Sequence, residues 1–249
     1  MNTQRGISLA LLISWMLLSH GVATAESQPL KPYTAEYSLL MGRIVVGKID
    51  VSLDITAEGA YTYRAHTITV GIAALFRKDE ITEISQGTIN GNRITPLTYF
   101  YHRVKRKKVR KVSLDFDWKN HKVSNRTENS DWSMDIPSGA QDKFSQQLAL
   151  MSHLTKNDQS IQFKVADGGR LKTYLFERHD RVQLQVEAGS YDAVKLTHAK
   201  DDRPSRATFW MAPDLHYLPI KIVKQEKDGE FTVELRSVSW NRPKKSPAT

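Results

Sequence analysis

The chain has 249 residues, 36 Lys and Arg against 27 Asp and Glu for a net charge of +9, and no cysteine. The missing cysteine excludes a disulfide framework, a thiolate nucleophile, a thiolate-held metal and the acylated cysteine of a bacterial lipoprotein. Stability must come from burial, for which this length suffices as one large domain or two small ones.

Arg5 is the single charge ahead of an apolar run over 7–18, and the small residues Gly21-Val22-Ala23-Thr24-Ala25 follow it. A cationic start, a short apolar segment and an A-x-A site make a secretory signal peptide. The run is shorter than the ~20 residues that span a bilayer. Residues 1–25 are therefore expected to be cleaved after Ala25, leaving a mature chain of net charge +8 in a bacterial periplasm. In the cytoplasm such an excess would point to nucleic acid. Export disfavours that partner and leaves anionic lipid head groups, lipopolysaccharide or cell-wall polymers, or simply a solvated basic surface.

Period-two alternation begins at once. Tyr33, Ala35, Tyr37 and Leu39 alternate with polar neighbours, as do Ile49, Val51, Leu53 and Ile55. These are strands with one buried and one wet face. The pattern resumes over 61–65 after Glu58-Gly59, and Asn90-Gly91 predicts a hairpin between 81–89 and 94–101. Next comes the densest feature: Arg103, Lys105, Arg106, Lys107, Lys108, Arg110 and Lys111 within nine positions. On a strand these charges point to both faces, so the run is expected at an exposed edge, a protruding hairpin or a loop. It either guards an edge strand against aggregation or binds anions.

Residues 121–133 are polar and read as a long loop or a frayed hairpin. From 141 to 155 the period changes: Phe144, Leu148, Met151 and Leu154 recur at helical spacing. Ser138 with Gln141 three residues on predicts a capping box for an amphipathic helix at about 140–155. Such a helix covers an open sheet, plugs a curved one, or packs on an edge. Asp167-Gly168-Gly169 joins strands 161–165 and 171–176, and Asp228-Gly229 joins 220–225 and 231–238. Between them Pro213-Asp214 starts a turn flanked by Trp210 and Tyr217, and Pro219 opens the next strand. The tail 241–249 reads as disordered. Roughly a dozen strands result. The prediction is an all-β, mainly antiparallel single domain over 26–240, a large curved sheet or incompletely closed barrel with one helix.

Catalytic patterns are weak. The mature chain's histidines, His66, His102, His121, His153, His179, His198 and His216, show no compact ligand spacing. There is no Gly-x-Ser-x-Gly elbow. Gly168-Gly169 is a hairpin turn, since no helix follows it. No enzyme activity, metal or other cofactor is expected.

Certain stretches resemble the family known as domain of unknown function 3108. They are Tyr33-Thr34-Ala35-Glu36-Tyr37, the region from Gly42 to Gly47, Gln86-Gly87, Thr95-Pro96-Leu97, Gln141-Asp142-Lys143-Phe144-Ser145, Val165-Ala166-Asp167-Gly168, Gly189-Ser190-Tyr191-Asp192-Ala193, and Trp210 with Asp214, Leu218 and Pro219. They cover nearly the whole mature chain in order. The resemblance implies an exported, mostly antiparallel β protein of Gram-negative bacteria, and it brings no activity or catalytic residues. Gly42, Gly47, Gly87 and Gly189 suit turns or bulges that let a large sheet curl.

Three functions follow, in order of weight. The first is a non-enzymatic carrier of an apolar or amphiphilic envelope molecule, with Tyr37, Tyr63, Phe144, Leu148, Met151 and Trp210 lining its cavity and the 103–111 run facing anionic head groups. Its expected partners are a lipid or other amphiphile and an anionic membrane or lipopolysaccharide surface, with no nucleic acid. The second is a structural protein that docks on an envelope complex through the basic edge. The third is a hydrolase of envelope polymers, which would need two of Asp131, Asp135, His153, Asp214 and His216 to converge.

Overall fold

The computed structural model describes residues 30–71, 74, 79–106, 108–126, 131–200, 203–226 and 229–241. The expected signal peptide, Lys107 and all of the tail beyond Asn241 lie outside them. The strands are β1 (Tyr33–Met41), β2 (Ile44–Ile55), β3 (Ala60–Thr69), β4 (Asp79–Asn90), β5 (Arg93–Lys105), β6 (Lys108–Asp117), β7 (Lys122–Arg126), β8 (Asp131–Asp135) and β9 (Gln141–Asp142). The helix α1 (Ser145–His153) follows. Then come β10 (Ser160–Asp167), β11 (Arg170–Val186), β12 (Gly189–Lys200), β13 (Arg203–Ala212), β14 (Leu218–Glu226) and β15 (Gly229–Trp240).

All fifteen strands form one sheet, in the order β8-β7-β6-β5-β4-β3-β2-β1-β15-β14-β13-β12-β11-β10-β9. Every pairing is antiparallel except that of the two-residue β9 with β10. Consecutive strands joined by short turns must pair antiparallel, so the order follows the chain apart from the closure of β1 on β15. The strand count exceeds the dozen expected, because the polar stretch 121–133 contributes β7 and β8.

Alternation sorts the faces. On β1, Tyr33, Ala35 and Tyr37 are buried while Thr34 and Glu36 are exposed. In the inward row Tyr33, Leu53, Tyr63, Ser85, Tyr99, Leu114, Asn125 and Trp132 are register partners from β1 across to β8. The glycines expected at bulges are there: the β1–β2 register shifts beside Gly47, and the β4–β5 register shifts at Gly87. A Cβ on Gly87 would lie 2.1 Å from the Thr95 carbonyl oxygen, so only glycine lets the strands approach there.

The sheet curls until its two edges meet without a ladder between them. A Cβ on Gly169, in the β10–β11 turn, would sit 3.5 Å from the Trp132 ring of β8. Gln141 of β9 donates its Nε2 to the Ile94 carbonyl of β5 at 2.9 Å. Inside the curl lies α1, against β5, β9 and β10. The core is one cluster drawn from both halves of the sheet and from the helix.

Two expectations about the helix are corrected. The helix begins at Ser145, and Ser138 forms no capping box with Gln141, whose side chain is turned to Ile94 and Gly139. Nor is α1 amphipathic in its surroundings: Ser145 and every residue from Leu148 to Ser152 are buried, as befits a helix enclosed by sheet rather than laid on it. The basic run is a protruding hairpin, one of the three placements expected, turning at Arg106 with a left-handed φ of 54°. Its β6 arm from Lys108 to Val112 pairs with β5 alone among the described residues, because β7 reaches only Ser113–Asp117.

Candidate functional site

Where the edges meet there is a solvent-open cleft of ≈ 420 Å³. Tyr99, Tyr101, Arg110, Val112 and Leu114 line one wall, Trp132 of β8 the next, and Lys143 with Asp167, Gly168 and Gly169 the far side. Tyr101 faces Val112 across β5–β6, with Tyr99 facing Leu114 one step deeper and Arg103 facing Arg110 one step nearer the turn. The cleft thus grades from buried aromatic and aliphatic surface at depth to cations at its mouth.

Two of those cations converge. The Arg110 guanidinium lies 5.9 Å and the Lys143 ammonium 5.8 Å from the centre of the Tyr101 ring. Each is attracted by the face of the ring, and each repels the other. Burial, the largest cause, raises the Tyr101 hydroxyl pKa, against the lowering influence of Arg103 and Arg110. The acids nearby are engaged: Arg103 forms a two-pronged pair with Asp79, Tyr99 donates to Glu83, and Lys172 holds Asp167 at 2.8 Å.

Lys143 is presented by a buried polar knot. Asp142, fully buried, accepts the backbone N–H groups of Phe144 and Ser145 on one oxygen, each at 2.7 Å. Its other oxygen accepts the Ser85 hydroxyl at 2.7 Å, and Tyr61 is hydrogen-bonded to Ser85 at 3.0 Å. Burial pushes the Asp142 carboxyl up to about 6, opposed by these hydrogen bonds. The Tyr61 and Tyr99 hydroxyls are likewise held far up, first by burial.

The residues singled out from sequence fall into distinct places. Tyr37, Tyr63, Phe144, Leu148 and Met151 all point inward and are packed: Tyr63 stacks on Phe144 with centroids 3.9 Å apart, and Leu148 and Met151 are enclosed with α1. Trp210 is half-buried and packs against the core cluster, with Lys195 and Lys221 as register partners on the face opposite Phe209 and Ile222. Of the basic run, Arg103, Lys105, Lys108 and Arg110 share the inner face of the β5–β6 hairpin, and Lys111 faces outward opposite His102. The Arg110 side chain reaches the cleft.

Asp131 and Asp135 are exposed on β8, His153 pairs with Asp158 at 3.7 Å, and His216 packs on Trp240 with ring centres 4.9 Å apart. Asp214 is exposed on a separate turn. Among the described residues no three His, Asp or Glu side chains are grouped to hold a metal ion. Sequence reading missed Tyr99, Tyr101, Trp132 and Lys143. The available signal was the two-residue spacing of Tyr99, Tyr101 and Arg103, which places an aromatic pair and a cation on one strand face.

A family model described as a protein of unknown function, DUF3108, matches residues 32–236. The chain belongs to the DUF3108 family. For this DUF3108 chain no curated protein matches. Among solved structures it is similar to the beta-barrel-like protein of domain of unknown function DUF1849 from Brucella abortus. The identity is 13%, the TM-score 0.62, and the match covers 86% of this chain and 99% of the other. That likeness is one of fold. A protein of Parabacteroides distasonis provisionally called a lipoprotein aligns over 85% of this chain and 97% of its own, at 9% identity and a TM-score of 0.33.

Proposed function

We propose that this DUF3108 chain is a non-enzymatic carrier, exported to the periplasm, that holds an amphiphilic cell-envelope molecule with an anionic head group in the seam cleft. One observation carries the reading: Arg110 and Lys143 converge on Tyr101 at the mouth of a cleft whose depth is Tyr99, Leu114 and Trp132. An anion between the two cations would relieve their repulsion, and the apolar wall would take up a hydrocarbon tail. The apolar run ahead of Ala25 supports export. The interior bounded by Tyr37, Tyr63, Phe144, Leu148 and Met151 then serves as the frame of the site rather than its lining, because α1 fills it.

Native mass spectrometry of protein exported to the periplasm and purified gently tests this. The expected spectrum carries a discrete added mass that organic extraction recovers as an anionic amphiphile. The same mass should be absent from a folded R110E/K143E variant. A bare chain mass, or an adduct unchanged in the variant, would refute the site.

A further inference from the structure

Antiparallel connectivity places particular turns at one end of the barrel. The β1–β2 turn at Gly42-Arg43, the β5–β6 turn at Arg106 and the β10–β11 turn at Gly168-Gly169 lie together there, and the cleft opens between the last two. Exposed apolar side chains gather at this end. Ile44 is 67% exposed, Met41 46% and Val45 43%, all around the β1–β2 tip, and Val109 beside the β5–β6 turn is 54% exposed. Phe231, the register partner of Met41 on β15, extends the patch.

Isolated exposed apolar residues are ordinary on a protein surface, but a cluster on a protruding tip interleaved with cations is not. Arg43 is on that tip, and Lys108 and Arg110 flank Val109; all three are exposed. In the sheet the two tips are separated by β3 and β4. The acids at the same end are partly engaged: Asp79 is paired with Arg103, and Glu230 accepts from Gln225.

We infer that this end of the barrel docks on an anionic phospholipid bilayer. Met41, Ile44 and Val45 enter the head-group layer, and Arg43, Lys108 and Arg110 lie on the phosphates. Apolar burial and cation–phosphate attraction act together in such interfacial contacts, and the second weakens with salt. A water-soluble anionic partner would match the cations but leave the apolar tip unexplained. The inference deepens the carrier reading, since docking would bring the cleft mouth to the surface from which an amphiphile leaves.

Co-sedimentation of the mature chain with phosphatidylcholine vesicles, with and without phosphatidylglycerol, tests it. The chain should sediment with the anionic vesicles, stay in solution with the neutral ones, and be released by high salt. The M41S/I44S/V45S variant, altered only at exposed positions, should bind the anionic vesicles about tenfold or more weakly. K108E should weaken binding further and flatten the salt dependence. Equal binding by the triple variant, or none by the parent chain, would overturn the docking. Native mass spectra of the same variants keep the two proposals separable, because an adduct retained by the triple variant leaves the cleft reading intact whichever way sedimentation falls.

Discussion

Asp142 shows what a single residue does in this molecule. It is a carboxylate inside the barrel, tolerated because it has three hydrogen-bond donors and lies at the start of α1, where the helix dipole favours negative charge. Its native pKa of about 6 exceeds the ordinary 3.8, so between those values the folded chain keeps a proton that the unfolded chain has lost. Stability attributable to this group is therefore present at low pH, falls as pH rises from about 4 to about 6, and is flat above. The total is on the order of 3 kcal/mol. In D142N the amide oxygen still accepts both N–H groups and the NH2 can donate to Ser85, so urea midpoints should lose that contribution to their pH dependence. D142A should lose about 1–3 kcal/mol above pH 6, because buried N–H groups are orphaned, and more at low pH, where the protonated carboxyl of the wild type adds its stability. Identical pH profiles for wild type and D142N would show the carboxyl to be unperturbed. In the sequence Asp142 is one acid of the Gln141–Ser145 stretch, near the start of the helix predicted at about 140–155. Its burial depends on Ser85 and Tyr61, more than fifty residues earlier in the chain.

At the scale of elements, the helix and the basic hairpin are both visible in the sequence, but what surrounds each of them is not. Helical spacing of Phe144, Leu148, Met151 and Leu154 marks α1 correctly. Such spacing says nothing of the other faces, and it was the sheet that closed over Ala149 and Leu150. Enclosure has a measurable consequence. Leu148→Ala leaves a void on a helix that cannot relax outward, and should cost about 3 kcal/mol in urea denaturation. Leu97→Ala, at a position 44% exposed, should change stability by less than about 0.5 kcal/mol. Equal costs at the two sites would mean that α1 is not enclosed. The basic run was legible as a segment unable to lie within a doubly buried sheet. How much of it stands free depended on β7, whose polar sequence carries a faint strand signal and which pairs only with Ser113–Asp117.

For the whole molecule, one sheet wound about one core has no internal boundary at which part could unfold alone. Far-ultraviolet circular dichroism, near-ultraviolet circular dichroism and tryptophan fluorescence should therefore give coincident unfolding curves for the mature chain. An early fluorescence transition confined to the Trp132 region would show instead that the seam opens before the barrel. The sequence by itself determined most of the strands, most of their turns and the sense of their pairing. Period-two alternation and Gly-containing turns are local, and antiparallel order follows from short connections. The glycines that let the sheet curl were also readable, because a missing side chain is a property of one position. Only the tertiary structure decided that the curl brings Trp132 to Gly169, Lys143 to Tyr101 and Met41 to the same end as Arg110. Those meetings depend on twist summed over fifteen strands, a quantity that no short window of sequence contains.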